Sequence, residues 1–416
     1  MQCHVLSFEG PDPYSRAGGL ATRVVGLAQT LADLGFETHL WFVGDPDAPG
    51  HEQWGGLRLH RWAQWVSHHH RGGVYDGEHG KCGELARSLP PHLLQEWIRP
   101  HVEAGGRVVV LAEEWHTVGA VLHLHVLLEE AGLRDRVALL WNANNTFGFE
   151  HVDWRQLATA AHVTTVSRYM KHRIRPLGVD PTVIPNGLPG DAFDPPDRAA
   201  CHELRRRFRD RTVVVKMARF DPDKRWLAAV ESVALMKRAG WSPLLLARGG
   251  VEAHGADVAA AIGSLGLRAV DRAWPDDGAT GLLRALHDVE HVDVVNLRTH
   301  VSHEARAVLL RGADAVLANS GHEPFGLVGL ETMAVGGLAC TGCTGEDYAL
   351  PGRNALVLET DDPAEFVGMY RRLRARPEEL RAIRREGRVT ARRFAWPEVV
   401  GRILLPRVDL LGTGAS

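Results

Sequence analysis

Lysine is scarce in this chain. Of its 48 basic side chains, only Lys81, Lys171, Lys216, Lys224 and Lys237 are lysines, so a lysine inside a motif carries weight. Net charge is nearly absent too: 51 acidic residues leave a formal −3, a field too weak to call for a nucleic-acid partner. Five scattered cysteines exclude a disulfide scaffold and fit reduced thiols in a cytoplasm. No apolar run approaches the ~20 residues that cross a bilayer. The start, Met1 to Glu9, has neither the basic leader nor the apolar core of a signal peptide. The expectation is a soluble, cytoplasmic protein with at most peripheral membrane contact. What is present, 45% hydrophobic and 24% charged residues, is ordinary for a globular enzyme and excludes disorder, collagen or coiled coil as the main structure. A chain of 416 residues exceeds what one core organises, so two domains are expected.

Short apolar runs alternate with amphipathic helical stretches, the pattern of α/β architecture with largely parallel sheets. His4–Phe8 reads as a strand, residues 9–17 as a loop, and Gly18–Leu34 as a helix with Leu20, Val24, Leu27 and Leu31 on one face. Gly35 closes that helix, and Glu37–Val43 begins the next strand. Further strands are expected at 107–112, 137–141, 162–167 and 182–184. The Pro- and Gly-rich stretch from Pro185 to Gly190 marks a connection. A second series follows, with strands at 212–218, 243–247, 291–297, 313–318 and 338–340. The tail from Phe394 to Leu411 reads as a final helix. Arg205-Arg-Arg-Phe-Arg209 reads as a solvated helix face, and Cys340 and Cys343 as structural thiols.

The segment from Ala318 to Gly337 carries the most information. A strand ends near Ser320, a tight loop holds Glu323, Pro324, Phe325 and Gly326, and a helix opens at Leu327 and Val328. Amides at a helix start attract anions, a phosphate above all, and Gly326 lets a ligand approach the main chain. Glu331, one turn in, is placed to accept hydrogen bonds from two neighbouring hydroxyls such as those of a ribose. The plain alternatives are a solvated helix face for Glu331 and a dipole partner for Glu323.

A second constellation runs from Val213 to Trp226, with Arg219 and Lys224 at either end of a turn between strand and helix. Their planar fork and point charge suit a diphosphate; a solvated charged turn is the alternative. Asp221 and Asp223 read as turn residues rather than metal ligands, because Arg219, Lys224 and Arg225 already supply the charge a metal would bring. In the first half, Gly18-Gly19 opens a helix without the full dinucleotide-binding glycine pattern. His116 follows a strand, where α/β ligands bind, although a single histidine there is more often packed or capping.

Together these residues resemble the retaining nucleotide-sugar glycosyltransferases of family four, on the GT-B fold. Gly18-Gly19-Leu20 is similar to that family's first glycine loop, and Val183-Ile-Pro-Asn-Gly187 to its hinge approach. Arg219 with Lys224 resembles its phosphate-binding pair, Glu323 with Glu331 its signature of two glutamates eight positions apart, and Phe394 with Trp396 its last helix. The resemblance implies two Rossmann-like doubly wound domains facing across a cleft. Residues 1–186 would form the acceptor side, with the helix 394–411 packing back on it, and residues 187–393 the nucleotide-sugar side. It implies transfer of a hexosyl group from a UDP-, GDP- or ADP-hexose to an acceptor hydroxyl, with retention, no metal and no further cofactor. Arg219 and Lys224 would hold the diphosphate and Glu331 the ribose. Gly18, Gly19, Phe325, Gly326, Leu327 and Val328 would complete the donor site, and Glu323 and His116 would stand at the sugar.

Two departures from the family's pattern bear on acceptor specificity. Asparagines fill Trp141–Asn145 where many relatives carry a Thr-x-His type, and residues 251–290 form a longer connection. Two other functions share the nucleotide cleft: a GT-B-like sugar-nucleotide epimerase, and a protein that binds sugar nucleotides without chemistry. An epimerase needs an acid/base pair at the sugar, and the two-glutamate signature favours transfer.

Overall fold

The computed structural model describes residues 1–276 and 278–412. They divide into two compact units, Met1–Gly187 with the tail from Phe394, and Leu188–Arg393. In the first unit lie β1 (Gln2–Leu6), β2 (Glu37–Val43), β3 (His51–Trp54), β4 (Leu57–Trp62), β5 (Val108–Glu113), β6 (Val137–Ala143), β7 (His162–Thr165) and β8 (Thr182–Val183). They form one sheet in the order β3-β4-β2-β1-β5-β6-β7-β8, parallel except where β3 pairs antiparallel with β4. The second unit holds β9 (Thr212–Met217), β10 (Pro243–Arg248), β11 (Ala269–Arg272), β12 (Val294–Leu297), β13 (Ala315–Ala318), β14 (Ala339–Thr341) and β15 (Leu356–Val357). Its order is β11-β12-β10-β9-β13-β14-β15, with parallel pairings throughout.

Helices cover both faces of a parallel sheet, so its central strands are apolar throughout rather than alternating. Val108-Val-Val-Leu-Ala-Glu113 is buried at every position. Each sheet reverses its strand order beside its first strand: β1 lies between β2 and β5, and β9 between β10 and β13. The crevice outside the carboxyl ends at such a reversal is where open α/β sheets take their ligands.

The first helix, Gly19–Asp33, buries Val24, Leu27, Ala28 and Leu31 against a core that also contains Val5, Leu40 and Trp396. Gly35, at φ +86°, stops it. The tail runs Trp396–Val399, a π-helical turn Val400–Leu404, then Leu405–Gly412. Trp396 is 1% exposed, and a Cβ on Gly26 or Gly187 would stand 2.2 or 2.3 Å from its ring. Both positions therefore require glycine.

The β3–β4 hairpin was not expected, since His51-Glu-Gln-Trp and Leu57-Arg-Leu-His-Arg-Trp are too polar to read as strands. β4 buries Leu57, Leu59, His60 and Arg61, while β3 is exposed throughout. His60 stacks on Trp41 at 3.8 Å between centroids, and its Nε2 lies 2.9 Å from His39 Nδ1. The arginine run is also more tied down than a solvated face: Arg205 donates to the carbonyl of Arg311 at 2.7 Å, and Arg207 to Glu203 at 2.8 Å. Cys340 is buried and Cys343 exposed, both as free thiols.

Candidate functional site

At the reversal of the second sheet, β9 delivers Arg219 and β13 delivers the loop that begins at Asn319. The turn after β9 is built locally. Asp221 accepts the amide of Asp223 at 2.9 Å, the short helical turn Pro222–Lys224 follows, and the indole of Trp226 donates to the carbonyl of Arg219 at 2.8 Å. Asp221 is thus occupied as a turn residue. The fold sets Lys224 Nζ 2.6 Å from Glu323 Oε2, each side chain 19% exposed, so the two sequence constellations meet in one ion pair.

At the same reversal lies a cavity of about 340 Å³, lined among others by Ala218, Arg219, Arg248, Arg306, Val328 and Glu331. This is the size range of small-molecule sites. Arg219, in a loop, and Glu331, in the helix Leu327–Ala334, are more than a hundred residues apart in the chain, yet they share this wall. Arg306 Nη1 donates to Glu331 Oε1 at 3.2 Å. Glu331 is not a solvated helix face: burial raises its pKa, with Arg306 and His303 pulling the other way. Arg248, Arg306 and the Gly249–Gly250 stretch were not anticipated. The only sequence signal for them is a glycine pair directly after β10.

Gly326 stands at φ +81° and starts the helix Leu327–Ala334. A Cβ there would lie 2.7 Å from Glu346 Cγ, so glycine is required twice over. Tyr348 donates its hydroxyl to the Gly326 carbonyl. Phe325 is 2% exposed with its ring against Tyr348, so its side chain shapes the loop and only its backbone is left to meet a ligand. Two buried groups behind the loop had no signal in the sequence. Burial, with Glu323 as a like charge nearby, raises the Glu346 carboxyl to about 8. Burial, with Lys224 and Arg225 nearby, lowers Lys216 to about 7; its Nζ bonds Asn319 Oδ1 at 2.7 Å.

His116, Gly18 and Gly19 lie in the first unit. His116 sits in a helical turn, Trp115–Thr117, directly beyond β5. Its ring stacks on Phe8 and Trp115 at 4.2 and 4.1 Å, and its Nε2 lies 2.8 Å from Glu78 Oε1. Burial lowers its pKa, against the pull of Glu78, so the ring is neutral at neutral pH. The amide of Gly18 is already engaged, donating to Glu9 Oε2 at 3.0 Å. Behind His116, Arg23 Nε lies 3.0 Å from both oxygens of Glu113, and Arg23 Nη1 reaches Asn186 Oδ1 at 2.7 Å. Asn142 and Asn144 also donate to Glu113, at 2.9 and 2.7 Å. The asparagine segment therefore holds this buried carboxylate in place.

Two parallel sheets, each with polar groups gathered at its strand-order reversal, define the GT-B class of glycosyltransferase folds. Comparison with known proteins bears this out. Residues 17–191 match the family model described as Glycosyltransferase Family 4. A D-inositol 3-phosphate glycosyltransferase of Geodermatophilus obscurus is 28% identical over 232 residues, 55% of this chain and 47% of the relative; the match thus spans about half the relative's length. Among solved structures, the sucrose-phosphate synthase of Thermosynechococcus elongatus superposes with TM-score 0.66 at 18% identity, covering 100% of both chains. Anabaena HepE, solved in complex with UDP and glucose, does so with TM-score 0.63 at 15% identity, covering 98% of this chain and 100% of that one. The chain has GT-B architecture, and its first unit matches family four. Among the described residues no helix is long and apolar enough to cross a membrane.

Proposed function

We propose that this protein is a retaining glycosyltransferase that moves a hexosyl group from a nucleoside-diphosphate sugar to an acceptor hydroxyl without a metal ion. The observation that carries the reading is the cavity at the reversal of the second sheet, where Arg219 and Glu331 share one wall; Lys224, five residues after Arg219, is paired with Glu323. In this reading Arg219 and Lys224 bind the donor diphosphate, the amides of Leu327 and Val328 assist at its phosphates, and Glu331 accepts the ribose hydroxyls. Glu323 contacts the sugar. Lys224 is then shared between the sugar-side carboxylate and the phosphate, which fixes the anomeric carbon beside its leaving group.

The transition state is an oxocarbenium-like sugar with negative charge growing on the diphosphate. Fixed cations aimed at that charge are the largest source of rate in such a site, and two of them replace what a metal would supply. The acceptor oxygen bonds the anomeric carbon as the bond from that carbon to the diphosphate oxygen breaks. The leaving group keeps the bonding pair and takes the acceptor's proton, a front-face path that requires no protein nucleophile. His116, neutral and held by Glu78, belongs to the first unit, which receives the acceptor.

The test is incubation with UDP-, GDP- and ADP-hexoses, with and without candidate acceptors, following release of nucleoside diphosphate. Release from one donor is expected, with the anomeric configuration kept in the product. Absence of release, together with absence of thermal stabilisation by any nucleotide, removes the reading.

A further inference from the structure

The two strand-order reversals differ in charge. At that of the second unit Arg219, Lys224, Arg248 and Arg306 outnumber Glu323 and Glu331, whereas at that of the first, outside the carboxyl ends of β1 and β5, acids outnumber the buried Arg23, which Glu113 already pairs. Glu9 follows β1, and its Oε2 accepts the amides of Ala17, Gly18 and Ala21 at 3.3, 3.0 and 3.2 Å. The start of the helix Gly19–Asp33 therefore already holds an anion, supplied by the chain itself. The other oxygen of Glu9 takes the Tyr75 hydroxyl at 2.6 Å. Glu78 reaches His116, and Glu114 is buried two residues before it. Burial first, then the hydrogen bond to Glu9 and the nearby Glu114 and Glu78, holds the Tyr75 hydroxyl protonated. Arg16, in the same loop, is exposed and turned to the carbonyl of Pro11 at 3.3 Å.

A separate observation marks the place as a ligand site. His116 is 7% exposed, its ring packed within this group at 4.2 Å from Phe8 and 5.7 Å from Tyr75, and its Nδ1 has no hydrogen-bond partner. Asn144 Oδ1, beyond β6, is likewise buried without a partner. Buried polar atoms are nearly always paired in a folded protein, and orphans at a strand-order reversal fit a hydroxyl-bearing ligand.

We infer that this reversal receives the acceptor, and that the acceptor is an unphosphorylated polyol. The inference rests on the transferase reading. A phosphate brought to this helix start meets the Glu9 carboxylate where it needs free amides, and the unpaired groups around it suit hydroxyls. The preference is thus opposite to the phosphorylated compounds in the names of its relatives.

The experiment uses the full chain with whichever nucleotide hexose stabilises it against heat, and compares matched acceptors: inositol with inositol 3-phosphate, and glucose, glucosamine and maltose with their phosphates. The readout is release of nucleoside diphosphate. An unphosphorylated member is expected to be used at least about tenfold faster than its phosphate, the factor that modest repulsion between two anions a few ångströms apart produces. The variants Glu9→Ala, and Glu9→Gln, which keeps an oxygen for the helix amides, are expected to bring the two members of the pair towards parity. Faster use of the phosphorylated member by the native protein overturns the inference. So does a donor that is turned over but never accelerated by any unphosphorylated compound, and so does an unchanged preference in both Glu9 variants. Loss of all nucleotide stabilisation instead removes the transferase reading, and it is seen before any acceptor is added.

Discussion

Replacing Gly26 by alanine tests how the returning tail is held. In an open helix position Gly→Ala gains about 1 kcal/mol through backbone entropy. At Gly26 the new Cβ meets Trp396 Nε1 at 2.2 Å and Cδ1 at 2.7 Å, more than 1 Å inside ordinary contact distance. The ring has little room to retreat, being 1% exposed and also closed upon by Gly187, whose Cβ would stand 2.3 Å from Cδ2. Overpacking of this kind costs about 1–3 kcal/mol, so Gly26→Ala is expected to destabilise the first unit by about 2 kcal/mol. Gly263→Ala is the control: the position is helical, a Cβ there meets nothing within 4 Å, and a gain of about 0.5–1 kcal/mol is expected. Urea midpoints, followed by tryptophan fluorescence at constant m, measure both. Trp396→Ala alone should lose about 3–5 kcal/mol, and combined with Gly26→Ala it should lose clearly less than the sum, because the clash is gone. A Gly26→Ala protein as stable as the Gly263→Ala protein refutes the packing argument.

Three further outcomes are expected. If the proposed transferase reading holds, Lys224→Ala removes one of two cations at the leaving group and frees Glu323, so kcat/KM for the donor should fall about 10²–10³-fold while the thermal transition stays within a few degrees; steady-state kinetics on the folded variant decide it. His39 and His60, lowered by burial to about 4 and about 3, should remain neutral at pH 5.5 when followed by imidazole NMR. Their contribution to stability is full above about pH 6.5 and declines as the pH falls below it. Glu114 and Glu346 have the opposite sign: raised by burial to about 8, they contribute fully below about pH 4.5, and that contribution is lost as the pH climbs through 8. Carboxyl infrared bands that titrate near 4 in both would contradict their burial.

Much of the fold is legible in the sequence because parallel strands buried on both faces stand out as apolar runs. Glu37–Val43 is found at its expected bounds, and β5, β9 and β13 fall within a few residues of theirs. The β3–β4 hairpin is hidden because β3 is exposed throughout and β4 buries His60 and Arg61 beside Leu57 and Leu59, and the burial of His60 depends on stacking partners distant in the chain such as Trp41 and Trp97. Strands β11 and β15, of four and two residues, are too short for any period to show. In the site, the glycine-framed loop carrying Glu323, the helix start that follows it with Glu331, and the turn carrying Arg219 and Lys224 can be read locally, because turn chemistry and helix starts leave local marks. Arg306 and Glu346 leave none, and Arg248 only the glycine pair after its strand: an arginine on a helix and a glutamate in a loop look like solvated charge until the fold brings them to a cavity wall or buries them. Glu9 is the same case, since its role follows only from the amides it meets nine and twelve residues later.

In the proposed function the second unit binds the nucleoside diphosphate of a sugar donor through Arg219, Lys224 and Glu331. Calorimetric titration of the native chain and of Arg219→Ala, Lys224→Ala and Glu331→Ala with UDP, GDP and ADP, in metal-free buffer, tests it most directly. One-to-one binding of at least one of the three nucleotides is expected, weakened by at least about tenfold in each variant, as loss of a charge-assisted contact entails. No binding of any of them to the native chain, or equal affinity in all three variants, contradicts it.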